Sequence, residues 1–143
     1  RKIYQAGPLF SDAERSWHGK LSERLRAAGH SVVWPGDLLT SDQIKAAGPG
    51  AIALIFEHAA TPLIAYLRVA LLDGTQVDDG TAWEIGYAYA KGLPIFGIRT
   101  DFRQGGDTQF NHVNSMIEGC LYGLATDVDG LLLMMCAASC SGK

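Results

Sequence analysis

Two carboxylates, Asp78 and Glu84, stand six positions apart around a glycine turn at Gly80. They follow the apolar, strand-like run Val69 to Leu72 and lead into Thr81-Ala82-Trp83-Glu84-Ile85-Gly86-Tyr87-Ala88-Tyr89-Ala90, which reads as a helix. Acids at the carboxyl end of a buried strand occupy the place where an open α/β sheet binds its ligands. Two carboxylates in unlike protonation states suit retaining glycosyl chemistry: one attacks the anomeric carbon, the other manages the leaving group's proton. The pattern puts Glu84 in the first turn of its helix, where free N–H groups and the dipole favour the charged form. Glu84 is therefore the expected nucleophile. Asp78, in the loop near Asp73 and Asp79, is the expected proton carrier. Thr81-x-x-Glu84 also spells a capping box, so a structural role for Glu84 stays open.

The elements that must position these acids alternate between strand and helix. Lys2 to Ala6 reads as a strand ending in the turn Gly7-Pro8. Ser11-Asp12-Ala13-Glu14 is a capping box, and the helix after it carries Ala13, Trp17, Leu21, Leu25 and Ala28 on one stripe, closed by Gly29. Ser31 to Trp34 is a second strand, stopped by Pro35-Gly36-Asp37. A third strand covers Val69 to Leu72, and Gly92-Leu93-Pro94 ends the Glu84 helix before a fourth at Ile95 to Ile98. A fifth near Leu121 to Leu124 and a helix from about Val128 to Ala138 complete the chain. Between Ala46 and Leu67 the pattern predicts a helix kinked or split at Thr61-Pro62. This order predicts a single α/β domain over residues 1–143, a five-stranded parallel sheet with helices on both faces.

Bulk properties narrow the partners. A chain of 143 residues that is 48% hydrophobic and 19% charged can bury a core without disulfide or metal staples. The net charge of -3 argues against a phosphate-backbone partner, so no nucleic acid is expected. Gly130 to Ala138 is too short to cross a bilayer, so no membrane is expected either. Cys120, Cys136 and Cys140 form no disulfide framework and have no histidine cluster beside them, so neither a metal nor another cofactor is expected. No signal peptide is visible, which makes the cytoplasm the expected compartment.

Three segments together resemble the nucleoside 2-deoxyribosyltransferase family: Ile3-Tyr4-Gln5-Ala6-Gly7-Pro8-Leu9-Phe10-Ser11, Asp78-Asp79-Gly80-Thr81-Ala82-Trp83-Glu84-Ile85-Gly86-Tyr87-Ala88, and Asn114-Ser115-Met116. They stand in that family's order and spacing. The resemblance implies a flavodoxin-like (Rossmann-like) fold and transfer of 2-deoxyribose between nucleobases through a covalent enzyme intermediate, with retention at C1′. It places Glu84 on the nucleophile, Asp78 on the residue that protonates the departing base, and Tyr4 on the tyrosine that positions the nucleophile. It places Asn114 and Met116 on an element that reaches into a neighbouring subunit's site, and so implies a homo-oligomer acting on a deoxyribonucleoside and a free nucleobase. Gly7 lies in the first of these segments, and Phe10 and Trp83 are candidate walls for a flat base. Asp37 follows the second strand, where the family contacts the base edge. Two positions depart from the resemblance: His58 and Tyr66 stand about where the family carries Asp or Asn and Asp, and the stretch from Leu131 to Lys143 carries no match.

Two other functions fit the same residues. A nucleoside 5′-monophosphate N-glycosidase would use water in place of the second base and would need a phosphate pocket, for which Ser11 at a helix N-terminus and Arg15 are the available groups. A non-catalytic nucleotide-binding module would keep the fold with a vestigial site.

Overall fold

The computed structural model describes residues 1–63 and 67–140. Tyr66 lies outside the described residues, as does the end of the unmatched terminal stretch. The strands are β1 Lys2–Ala6, β2 Ser31–Val33, β3 Leu67–Leu71, β4 Ile95–Ile98 and β5 Gly123–Ala125. The helices are α1 Asp12–Ala27, α2 Ser41–Ala47, α3 Ala51–Leu63, α4 Asp79–Ala90, α5 Ser115–Glu118 and α6 Val128–Cys140, with short 3-10 turns at Pro35–Asp37 and Gly48–Gly50. The strands form one parallel sheet in the order β2-β1-β3-β4-β5. That is the flavodoxin-like order, whose direction reverses between β1 and β3 and opens a crevice at their carboxyl ends.

Strand alternation sends neighbouring residues to opposite faces, which divides the core in two. On one face Ile3, Val69, Leu71, Phe96 and Ile98 pack with Leu21 and Leu25 of α1 and Leu131 and Met135 of α6. On the other, Tyr4, Ala6, Ala70, Leu72 and Ile95 pack with Ile85 and Ala88 of α4 and with Val113. At roughly 25 cal/mol per Å² of apolar surface removed from water, this two-sided burial dominates the fold's stability.

Local signals set the boundaries where they were expected for α1. Ser11 Oγ accepts the Glu14 N–H at 3.2 Å while Glu14 reaches back to the Ser11 N–H at 2.7 Å, and Gly29 takes a left-handed φ of +87° after the last turn. Its inner face differs from the expected stripe. Ala13 and Ala28 are exposed, while His18 and Ser22 are buried beside Leu21 and Leu25. Gln5 of β1 explains the exchange, because its amide bonds His18 Nδ1 at 2.8 Å and the His18 carbonyl at 2.9 Å and accepts the Ser22 hydroxyl at 3.0 Å. The break expected at Thr61-Pro62 falls instead at Gly48-Pro49-Gly50, between α2 and α3. Pro62 lies inside α3, one residue from its end. Among the described residues no helix is long and apolar enough to cross a membrane.

Candidate active site

Tyr4 is fully buried in the middle of β1, on the face covered by α4. Its hydroxyl donates a 2.7 Å hydrogen bond to Glu84 Oε1. The two residues are 80 positions apart, and the sheet order alone brings them together. Burial pushes the Glu84 carboxyl up to about 7, and the nearby Asp78 carboxylate pushes the same way. The Tyr4 hydrogen bond and the Arg68 guanidinium oppose that rise. The Tyr4 phenol is itself raised far above its ordinary value, first by burial and then by Glu84, so it is a fixed donor at any working pH.

The helix terminus plays a different part from the one expected. Asp78, not Thr81, is the N-cap of α4: its Oδ2 accepts the Thr81 N–H at 2.8 Å and the Thr81 hydroxyl at 2.9 Å. With α4 beginning at Asp79, Glu84 is its sixth residue and lies in the second turn, beyond the free N–H groups. The Thr81–Glu84 capping box therefore does not form, and the helix end is not what supports a charge on Glu84. The acid that caps the helix is the one expected to carry the proton. Both donors fall on the same oxygen, Oδ2.

Gly7 leaves β1 against the imidazole of His18. A Cβ at this position would lie 2.5 Å from His18 Cε1 and 2.6 Å from Nε2, so glycine is required by close approach. The His18 ring also stacks on Trp34, with centroids 5.6 Å apart. This packing carries the chain from the buried strand into the Gly7-to-Phe10 loop at the rim.

The remaining expected residues are spread over the rim and surface. Phe10 is 75% exposed, and Asp37 is exposed and paired with Arg26 at 3.6 Å. The Trp83 ring stacks on Tyr87 at 5.3 Å and meets the edge of Phe56 of α3 at 5.6 Å. Asn114 caps α5, its Oδ1 accepting the Met116 N–H at 3.0 Å, and Met116 is 79% exposed. His58 lies exposed on α3 with Nδ1 bonded to the Leu54 carbonyl at 2.8 Å. A cleft of about 440 Å³ runs between the loop after β3 and the segments after β4, lined by Gln76, Val77, Asp79, Ala82, Arg99 and Asn114 among others. It brings Asn114 beside the start of α4 within one chain, whereas Tyr4 and Glu84 do not line it.

Two buried arginines were not among the residues expected from the sequence. Arg68, on β3, is 1% exposed and opposite Tyr4 in the parallel register. A charged residue within the run Leu67-Arg68-Val69-Ala70 was the available signal. Arg99, just past β4, is also buried, and donates to the carbonyls of Leu72, Gly74 and Arg103, tying the two loops that frame the cleft.

Comparison with known proteins agrees with this architecture. Residues 3–130 match the sequence model of the family described as nucleoside 2-deoxyribosyltransferase. Among solved structures, a conserved protein from Enterococcus faecalis V583 is 29% identical, with 96% of this chain and 98% of that one covered at a TM-score of 0.74. A 2-deoxyribosyltransferase from Bacillus psychrosaccharolyticus is 23% identical, covering 90% of this chain and 88% of its own at a TM-score of 0.75. The CMP N-glycosidase BcmB of Clostridium botulinum shares the fold at 16% identity, covering 96% of this chain and 99% of its own at a TM-score of 0.60. No curated protein sequence matches the chain. With the flavodoxin-like sheet in place and the family match spanning nearly all of it, the chain belongs to the nucleoside 2-deoxyribosyltransferase family.

Proposed function

We propose that this protein transfers 2-deoxyribose between nucleobases through a covalent intermediate on Glu84, with retention at C1′. The observation that carries the reading is the hydrogen bond from the buried Tyr4 hydroxyl to Glu84 Oε1. It restrains one carboxylate oxygen and leaves Oε2 available to attack. In the first step the C1′–O bond to Glu84 forms as the C1′–N bond breaks, and the bond's electron pair leaves with the base. Asp78 supplies the proton that the departing base takes up. An incoming base then attacks C1′, returns a proton to Asp78 and releases Glu84 as a carboxylate. Two inversions at C1′ give net retention.

Gly7 holds the rim loop, and Phe10, Asp37 and Trp83 are the side chains proposed to meet the base. Met116 and Asn114, both exposed, are proposed to complete a neighbour's site in a homo-oligomer. Mixing Glu84→Ala with Asn114→Ala subunits tests this, since shared sites regain activity on mixing and self-contained sites do not.

The 5′-monophosphate N-glycosidase reading is weaker because its phosphate donors are already engaged. The Phe10 and Ser11 N–H groups both donate to Glu14 Oε2, at 2.8 and 2.7 Å, and Arg15 pairs with Asp12 and the Leu9 and Phe10 carbonyls. Incubation with deoxyinosine and adenine separates the readings. Deoxyadenosine formation supports transfer. Base release from the 5′-monophosphate but not from the nucleoside overturns it in favour of hydrolysis, and binding without turnover of either leaves the non-catalytic module.

A further inference from the structure

Arg68 is among the largest fully buried side chains of the protein, and among the described residues none of its three guanidinium nitrogens has a hydrogen-bond partner. Burying a guanidinium without hydrogen bonds is strongly unfavourable. On the same face, Ala70 of β3 and Leu72 just beyond it show what this sheet uses where packing is the only demand. The cost calls for a compensating role.

The register says what Arg68 is close to. Tyr4 is its partner across the β1–β3 pair, and residues paired in parallel strands share a face. Arg68 and Tyr4 therefore both lie beneath α4, in the layer where the Tyr4 hydroxyl holds Glu84. The groups acting on Glu84 come from three sides: Tyr4 from β1, Arg68 from β3 and Asp78 from the start of α4. Tyr87, further along α4, acts on Arg68. Asp78 opposes a charge on Glu84 and Arg68 favours one.

We propose that Arg68 is a positioning residue for the nucleophile, its buried guanidinium holding the Glu84 carboxylate ionised without bonding to it. This rests on Glu84 being the nucleophile. A buried layer transmits such an interaction well, because little water lies between the charges to screen it. Burial brings the guanidinium down to about 10, which leaves it charged at neutral pH. Glu84 sits at about 7 with Arg68 present, so little further loss of support would leave it protonated in the working range.

The test is the titration of Glu84 followed by carbon-13 NMR in protein labelled at the glutamate carboxyl, with Glu84→Gln identifying the signal. Arg68→Met keeps the volume and removes the charge, whereas Arg68→Lys keeps the charge. The expected result is a midpoint raised by about one pH unit or more in Arg68→Met and held near wild type in Arg68→Lys. Where the midpoint is raised by one unit, kcat/KM for deoxyribosyl transfer at pH 7 falls about fivefold, and its acid limb moves with the midpoint. If Arg68→Met does not fold, Arg68→Gln carries the same titration. An unmoved midpoint in an active enzyme overturns the role of Arg68 alone. A midpoint that moves while Glu84→Gln keeps its turnover overturns Glu84 as nucleophile, and the positioning role with it.

Discussion

Replacing Glu84 by Gln should make the protein more stable above neutral pH while abolishing turnover. The folded carboxyl titrates at about 7 against 4.5 for an ordinary glutamate, so the folded chain binds this proton more tightly than the unfolded chain does. Between these values the unfolded state has already released its proton, and stability falls as pH rises. Above pH 7 the cost is complete. The difference of 7 - 4.5, or 2.5 pH units, at about 1.36 kcal/mol each amounts to roughly 3 kcal/mol. Glutamine has the same shape, can still accept the Tyr4 hydroxyl, and carries no charge to desolvate. Glu84→Gln should therefore gain up to about 3 kcal/mol at pH 8, or roughly 6–12 °C in Tm, and almost nothing at pH 4. Denaturant unfolding of both proteins from pH 4 to 8, alongside the transfer assay, provides the measurement. A stability difference that stays flat across this range would refute the claim that Glu84 is buried at a cost. Such a trade of stability for reactivity is expected where a charged nucleophile must be held away from water.

Other consequences are more local. Tyr4→Phe removes the hydrogen bond that favours the charged form of Glu84, so the acid limb of kcat/KM should move up by about one pH unit, and an unmoved limb would exclude that function for the hydroxyl. Asp78→Ala loses the α4 N-cap as well as the proposed acid and should cost about 1 kcal/mol by denaturant unfolding, whereas Asp78→Asn keeps the cap. Among Asp78→Asn rates, bases that leave easily should be least affected, and a uniform loss across leaving groups would contradict proton donation. Gly7→Ala pushes a methyl into the His18 ring and should cost about 1–3 kcal/mol, partly relieved in the double variant with His18→Ala; equal losses with and without the ring would place the cost elsewhere.

What could be read from the sequence was whatever near neighbours determine. The strand from Lys2 to Ala6, the Ser11–Glu14 box and the turn at Gly29 depend on a few residues each, and all three formed as the pattern required. Strand-helix alternation implied a parallel sheet, and the three motifs were enough to recognise a family whose match extends over residues 3–130. The same local logic failed in the second motif, because Thr81-x-x-Glu84 spells a capping box that the folded chain does not use. The chain enters α4 three residues earlier, with Asp78 as its N-cap. Burial and contacts over long separations belonged to the tertiary structure alone. Glu84 meets Tyr4 because β1 and β3 are neighbours, and Arg68 joins them because their register sets it opposite Tyr4. The charge on Glu84 follows from those contacts and from lost water, neither of which is encoded within a few positions of residue 84. The two carboxylates could be named from their spacing, but the opposing influences on their charge came only with the fold.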